Sequence, residues 1–488
     1  MGELRHGHRR TAVLAGLLLA LCACSLVAAV GAKAAPARPL VTGISNVYSN
    51  EAAAFDHVRA TGSTTVLSPL RWSVIAPAQQ PAGWNPEDPA DPHYEWRFFD
   101  DWVTRAVQAG LTPIFDVRGA PPWAERCRRV SGEAVCNPDP AALAAFTRAA
   151  VRRYSGNFRG LPHVRYWQGL NEPNLSLFFE PQYEGDALVS PDLYRTLLDA
   201  FYGAVKSVDP SNLVIAAGLG PIAVPRFTIG PMTFARKLLC MTGTNERPRP
   251  ASPGCVVNFD IFDIHPYTTG GPTHEGGHNN VEMGDVWKLQ TLLAAADKAG
   301  HINSAFKRTP LWITEMGWDS NPPDPGGLPM KIEKQWIAES LYESWRWGVS
   351  NFMWYSLDDF PPEPKLPFSE TLQTGLYFYA PKQAEEQPKE VMPAFRFPFV
   401  AIRQGKGLKI WGRTPTSQGG RVKVQALRGG KWRKLAVAKA DRFGVFQAFV
   451  KTGYGEGRKG SVRAVFGGEP SVGFPMRRVG DFRHAPFG

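Results

Sequence analysis

Two glutamates in this 488-residue chain stand where chemistry is done. Tyr166-Trp167-Gln168-Gly169-Leu170-Asn171-Glu172-Pro173-Asn174 is an apolar, aromatic run that Pro173 stops, and it leaves Glu172 where a strand would end. Pro310-Leu311-Trp312-Ile313-Thr314-Glu315-Met316-Gly317-Trp318 repeats the design, with Glu315 at the end and Gly317 to turn the chain away. In a sheet or barrel of parallel strands, those ends form the mouth in which ligands bind. Two carboxylates placed so are what a retaining glycosidase needs: one protonates the leaving oxygen, the other attacks the anomeric carbon from about 5 Å away. The proton donor must have its pKa raised by burial or a nearby negative charge. The nucleophile must stay ionised, which calls for hydrogen-bond donors and a cation.

The elements that would position this pair alternate along the chain. Strand text is found at 41–44, 64–68, 111–117, 166–172, 213–218, 259–267, 310–318 and 352–357. Helical text runs to 60 and covers 98–106, 141–154, 193–208, 281–299 and 332–347. Eight strands alternating with helices over about 350 residues predict an α/β fold, a (β/α)8 TIM barrel, with the glutamates on its fourth and seventh strands. After residue 393 the texture changes to short alternating strands between Gly-rich turns, which predicts a small all-β sandwich. The expected organisation is a leader over 1–34, a catalytic barrel over 35–392, a linker over 393–400 and a sandwich module over 401–488.

Composition supports this division. Apolar residues make up 43% and charged residues 20%, which excludes a disordered chain and supplies a large core. Arg5, Arg9 and Arg10 precede an uncharged apolar run over 11–30 and an Ala32-Lys33-Ala34 site, the pattern of a secretory signal peptide. Export to the cell surface or beyond is therefore expected, with an uncleaved membrane anchor as the alternative, because the run is just long enough to span a bilayer. Outside it, Cys127, Cys136, Cys240 and Cys255 fall into two close pairs. Pairing 127–136 and 240–255 is expected of the three connectivities possible. No C-x2-C spacing supports a zinc site, and no metal or cofactor is expected.

Charge separates the two modules. Residues 401–488 hold 19 lysines and arginines against four acids, whereas the chain as a whole is +11. A basic module on an acidic barrel suits an anionic wall polymer, acidic polysaccharide or membrane surface; a solvated, solubilising face is the plainer alternative. Nucleic acid does not fit an exported chain. The sequence does not specify an oligomeric state.

Leu170-Asn171-Glu172-Pro173-Asn174 on a fourth strand, with Thr314-Glu315-Met316-Gly317-Trp318 on a seventh, resembles clan A of the retaining glycoside hydrolases. The Asn-Glu-Pro-Asn form is similar to family 39 and to cellulase-like members. The resemblance covers roughly residues 40–390. It implies that Glu172 is the acid/base and Glu315 the nucleophile, acting on a β-linked carbohydrate. It also implies that Asn171 binds the sugar 2-hydroxyl, that His265 and Tyr267 form a sixth-strand His-x-Tyr pattern whose tyrosine holds the nucleophile, and that Trp354 is a platform under the sugar. Arg71, ending the second strand, would keep Glu315 ionised, and Trp123 would line a subsite.

Each residue also has a plainer account. Strand-ending glutamates often cap helices, tryptophans fill cores and histidines are buried. His274-Glu275-Gly276-Gly277-His278 fits the H-E-x-x-H zinc signature, but two glycines interrupt the helix that chemistry requires, so a loop is expected. Two other functions use the same features: a non-catalytic carbohydrate-binding or surface-attachment protein, and a transglycosylase.

Overall fold

Strand and helix alternate strictly enough that the eight strands close on themselves. The structure, a computed structural model, describes residues 38–129, 134–363, 366, 368, 371–404, 407–451 and 460–476. The expected leader at 1–34 lies outside the described residues. The barrel strands are β1 (Val41–Ile44), β2 (Thr65–Arg71), β3 (Thr112–Arg118), β4 (Tyr166–Gly169), β5 (Leu213–Leu219), β6 (Ile261–Ile264), β7 (Leu311–Ile313) and β8 (Val349–Trp354). All neighbours are parallel, and β8 pairs back onto β1 with Val41 opposite Asn351.

Helices α1 (Ala52–Ala60), α2 (Arg97–Gln108), α3 (Pro140–Arg153), α4 (Ser190–Val208), α5 (Pro231–Leu238), α6 (Val286–Ala299) and α7 (Met330–Arg346) each follow a strand. Helix α2 shows why they pack outward from the strands: Phe99, Trp102, Val103 and Ala106 recur on one face and are buried. Helix α3 starts at Asp139, whose carboxylate accepts from the Ala142 amide at 2.9 Å, with Pro140 pre-set in the first turn. Helix α5 was not among the expected helices, although Met232, Phe234, Ala235 and Leu238 carry a short helical pattern. Among the described residues no helix is long and apolar enough to cross a membrane.

The inside of the barrel is layered. Leu67, Ile114, Leu213, Ile215, Ile261, Trp312 and Met353 form an apolar plug of their own. Toward the strand ends the inward side chains turn polar: Asp116, Gln168 and Asp263 are buried there. A largely apolar floor thus lies under a mouth rich in polar groups.

Residues 393–400 are not a free linker. They supply most of a one-turn helix, α8 (Met392–Arg396), and open the first sandwich strand, β9 (Phe399–Gln404). That strand joins β10 (Gly407–Arg413) and β13 (Val445–Lys451) in one antiparallel sheet. The facing sheet has the order β12 (Lys431–Ala440), β11 (Gly420–Arg428), β14 (Ser461–Phe466) and β15 (Glu469–Pro470). The module packs on the barrel through Trp411, 5.6 Å from the Tyr342 ring and 5.8 Å from the Trp345 ring of α7. Arg396 adds an ion pair to Glu469 at 2.7 Å.

Candidate active site

Glu172 lies three residues beyond the end of β4, in a turn that its backbone makes unusual. Leu170 has φ 65° and Glu172 φ 44°, a left-handed region that side chains other than glycine seldom enter, and such departures collect at functional sites. Neighbours hold the turn in place. Asn174 donates to the carbonyls of Gly220 and Ile229 at 3.1 and 2.9 Å, and its carbonyl oxygen accepts from the Gly220 amide at 2.9 Å. Asn174 therefore fastens the β4 loop to the β5 loop. Glu315 lies two residues beyond β7. The Thr314 amide before it donates to Asp263 at 3.0 Å, and Gly317 after it passes so close to Tyr355 that a Cβ there would stand 2.3 Å from that carbonyl.

The two carboxylates are buried at the barrel mouth with His265 between them. Nδ1 of His265 donates to Glu172 Oε1 at 2.8 Å and lies 3.6 Å from Glu315 Oε2. Its Nε2 faces the Thr314 hydroxyl at 3.0 Å, and that hydroxyl donates in turn to Asp263. A carboxylate oxygen from each glutamate and an imidazole nitrogen all lie within 4.8 Å of one another.

The environment drives the two carboxyls apart. Burial raises Glu172, and the charge of Glu315 adds to it; the His265 hydrogen bond and charge oppose without prevailing. Burial also acts on Glu315, but His265, Arg118 and the Tyr267 hydroxyl outweigh it and hold the group below its ordinary value. Arg118 Nη2 reaches Glu315 Oε1 at 2.9 Å, Asn46 reaches the same oxygen at 3.4 Å, and Tyr267 donates to Oε2 at 3.3 Å. For His265, burial works against the charge. The carboxylates of Glu315, Asp263 and Glu172 prevail and lift it well above the usual range, so it is an imidazolium at neutral pH. The same three groups have metal-ligand spacing, but a cation there would meet both this imidazolium and the Arg118 guanidinium.

The arginine on Glu315 is Arg118, not Arg71. The two are direct partners in the β2–β3 register. Two residues before Arg118, on the same strand face, Asp116 accepts from its Nε and turns it across the mouth; two residues before Arg71 stands Pro69. Arg71 lies exposed at the cleft with its guanidinium 5.9 Å from the Tyr48 ring. Trp354 is not at the cleft either. It is fully buried, and its indole donates to the Thr374 carbonyl at 2.7 Å. The next residue, Tyr355, faces the cleft instead. Trp123 is half-buried, donates to the Pro77 carbonyl at 2.9 Å and packs edge-on to Trp72 and Trp84, so packing accounts for it. Asn171 does line the cleft, and its side-chain oxygen is buried without a hydrogen-bond partner among the described residues.

The cleft holds about 410 Å³ and is bordered by Asn46, Tyr48, Arg71, Arg118, Asn171, Glu315 and Tyr355 among others. Cys127–Cys136 and Cys240–Cys255 are bonded as expected. His274 and His278 lie in a loop with different neighbours, Glu282 and Asn245, so the H-E-x-x-H run forms no joint site.

No family model and no curated protein matches the chain. Solved structures do. A family 39 glycoside hydrolase from the gut symbiont Bacteroides cellulosilyticus WH2 aligns over 85% of this chain and 79% of its own, at 16% identity and a TM-score of 0.50. The GH39 enzyme from Xanthomonas axonopodis pv. citri aligns over 85% and 93%, at 14% identity and a TM-score of 0.50. At these identities the likeness is one of fold: the chain is a (β/α)8 barrel protein similar in architecture to family 39 glycoside hydrolases.

Proposed function

We propose that the chain is a secreted glycoside hydrolase that cleaves a β-linked oligo- or polysaccharide by double displacement. The observation that carries this is the splitting of one buried carboxyl pair: Glu172 is pushed up and Glu315 down, across one imidazolium. That is the division of labour between a proton donor and a nucleophile. The barrel, and the named class of its two fold neighbours, agree with it.

In the first step the Glu315 carboxylate attacks the anomeric carbon. The bond to the leaving oxygen breaks with its electron pair, and that oxygen takes the Glu172 proton. Glu172, now ionised, accepts a proton from water. The hydroxide oxygen bonds the anomeric carbon and Glu315 leaves as a carboxylate, so one water has been added across the bond. Asn171, with its unpaired side-chain oxygen, accepts from a sugar hydroxyl, and the Tyr355 ring borders the sugar. His265 and Tyr267 act on the carboxylates rather than on the sugar.

Reducing-sugar release from β-linked polysaccharides and aryl glycosides, with Glu315→Ala in parallel, tests this. Release by the wild type alone supports the proposal. Equal release by both proteins removes Glu315 as nucleophile. Binding without release by either indicates a carbohydrate-binding protein, and oligosaccharide products longer than the substrate indicate transglycosylation.

A further inference from the structure

We propose that the outer face of the β12–β11–β14 sheet binds an anionic polysaccharide. Along β11, Val422, Val424 and Ala426 point into the sandwich, so Arg421, Lys423, Gln425 and Leu427 point outward. Cross-strand pairing extends this face. Lys439 stands opposite Arg421, Lys434 opposite Gln425 and Trp432 opposite Leu427 on one side, and Arg463 opposite Gln425 on the other. Five cations, Arg421, Lys423, Lys434, Lys439 and Arg463, thus share one face of the sheet, and none of them has an ion pair among the described residues.

The two described acids of the module are engaged elsewhere. Of those described, Asp441 is spent on a turn, accepting from the Phe443 and Val445 amides, and Glu469 is spent on Arg396. Directly opposed like charges such as Arg421 and Lys439 weaken a sheet, and an anionic ligand on this face would offset that cost. Arg463 is also held ready, with its Nε donating to Gln425 at 2.9 Å and its guanidinium 4.3 Å from the Trp432 ring. Charge complementarity calls for a polyanion, and a strand face with cations spread along it suits an extended chain that carries a carboxylate on each sugar. The basic module would then hold the barrel against an acidic glycan. This deepens the partner suggested by the glycosidase proposal, but binding needs no turnover and stands or falls apart from Glu172 and Glu315.

The test is affinity electrophoresis of the full chain in gels containing polygalacturonate, dextran or double-stranded DNA, at low and high salt. Wild type, an Arg421→Ser/Lys423→Ser/Lys439→Ser variant and a barrel control, Lys298→Ser/Lys307→Ser/Arg308→Ser, are compared; the control loses the same charge from exposed barrel positions. Retention by polygalacturonate and not by dextran is expected, weakened by salt, and reduced roughly tenfold by the sheet variant but not by the control. Equal loss in both variants would mean net charge alone and overturn the site. Retention by DNA without retention by polygalacturonate would overturn the ligand.

Discussion

Arg118 is the residue on which the division between the two glutamates most depends, and replacing it with methionine separates its role from plain structure. The guanidinium bridges Asp116 and Glu315 in a buried setting, so the change leaves two buried carboxylates without their cation. At an effective dielectric of about 20, unit charges about 4 Å apart interact by roughly 4 kcal/mol. His265, Tyr267 and Asn46 remain on Glu315 and take up part of that loss. The acidic limb of kcat/KM is therefore expected to move up by about one pH unit or more. Well below the limb, activity should fall about tenfold further than it does at pH 8, because above the limb the nucleophile is ionised in both proteins. Stability should fall by roughly 3–5 kcal/mol at neutral pH, as when one partner of a buried pair is removed. Glu315 is a depressed carboxylate, so the stability it contributes is present above its unfolded value and lost as pH falls through its folded one; the penalty must shrink in acid, where the carboxyl needs no partner. Asp116→Asn on top of Arg118→Met should recover part of the stability and none of the acid activity. The assay is a pH series on an aryl glycoside with urea unfolding alongside, and with Arg71→Met as comparison. A uniform loss at every pH, or a limb moved by Arg71→Met and not by Arg118→Met, would refute the reasoning.

His265→Gln keeps a hydrogen-bonding side chain but removes a positive charge that lowers both carboxyls, so the whole bell-shaped pH profile should move to higher pH, with kcat down about a hundredfold; a profile unchanged in position would mean that the imidazole is neutral. Glu172→Gln should still glycosylate Glu315 when the leaving group is a good phenolate, and added azide should speed turnover and give a glycosyl azide of the starting configuration by NMR; an inverted product would exclude double displacement. Away from the site, Glu333 of α7 is fully buried, neither carboxylate oxygen has a hydrogen-bond partner among the described residues, and burial pushes it up to about 8. A raised carboxylate gives stability that is full below its unfolded value of roughly 4.3 and declines as pH rises toward about 8. Glu333→Gln should therefore narrow the difference in melting temperature between pH 5 and pH 9, and calorimetry showing the same difference in both proteins would mean that Glu333 is ionised throughout.

Where the sequence was legible, the signal was local. Eight apolar runs separated by helical periodicity are enough to find a closed barrel, and a glutamate after each of two of them is enough to find a mouth. The expected sixth and seventh strands, 259–267 and 310–318, run well past the observed Ile261–Ile264 and Leu311–Ile313. Apolar text continues there, but the backbone has left the ladder: Thr314 donates to the Asp263 side chain instead of a neighbouring strand. Side-chain direction at such an end is the least legible quantity. Trp354 and Tyr355 are adjacent aromatics, and one step of strand alternation decides which faces the cleft and which the core. Arg71 and Arg118 both end strands, and the signal that tells them apart is Asp116, placed two residues back, where it can hold the second inward.

The proposed division of acid and nucleophile between the two glutamates is the least local feature of all. Glu172 and Glu315 are alike in their own text: each is buried, each follows an apolar strand, and each touches His265. What separates them lies elsewhere in the chain. Arg118 hydrogen-bonds Glu315 from 197 positions away and Tyr267 from 48, while Glu172 is hydrogen-bonded by His265. The difference in pKa between two similar glutamates is thus a property of barrel closure, which brings β3, β6 and β7 to one mouth. It follows that changes which loosen the mouth without touching either glutamate should bring their titrations together. Asn174, which fastens the β4 loop to the β5 loop through three hydrogen bonds, is the position at which that coupling between fold and chemistry is most directly exposed.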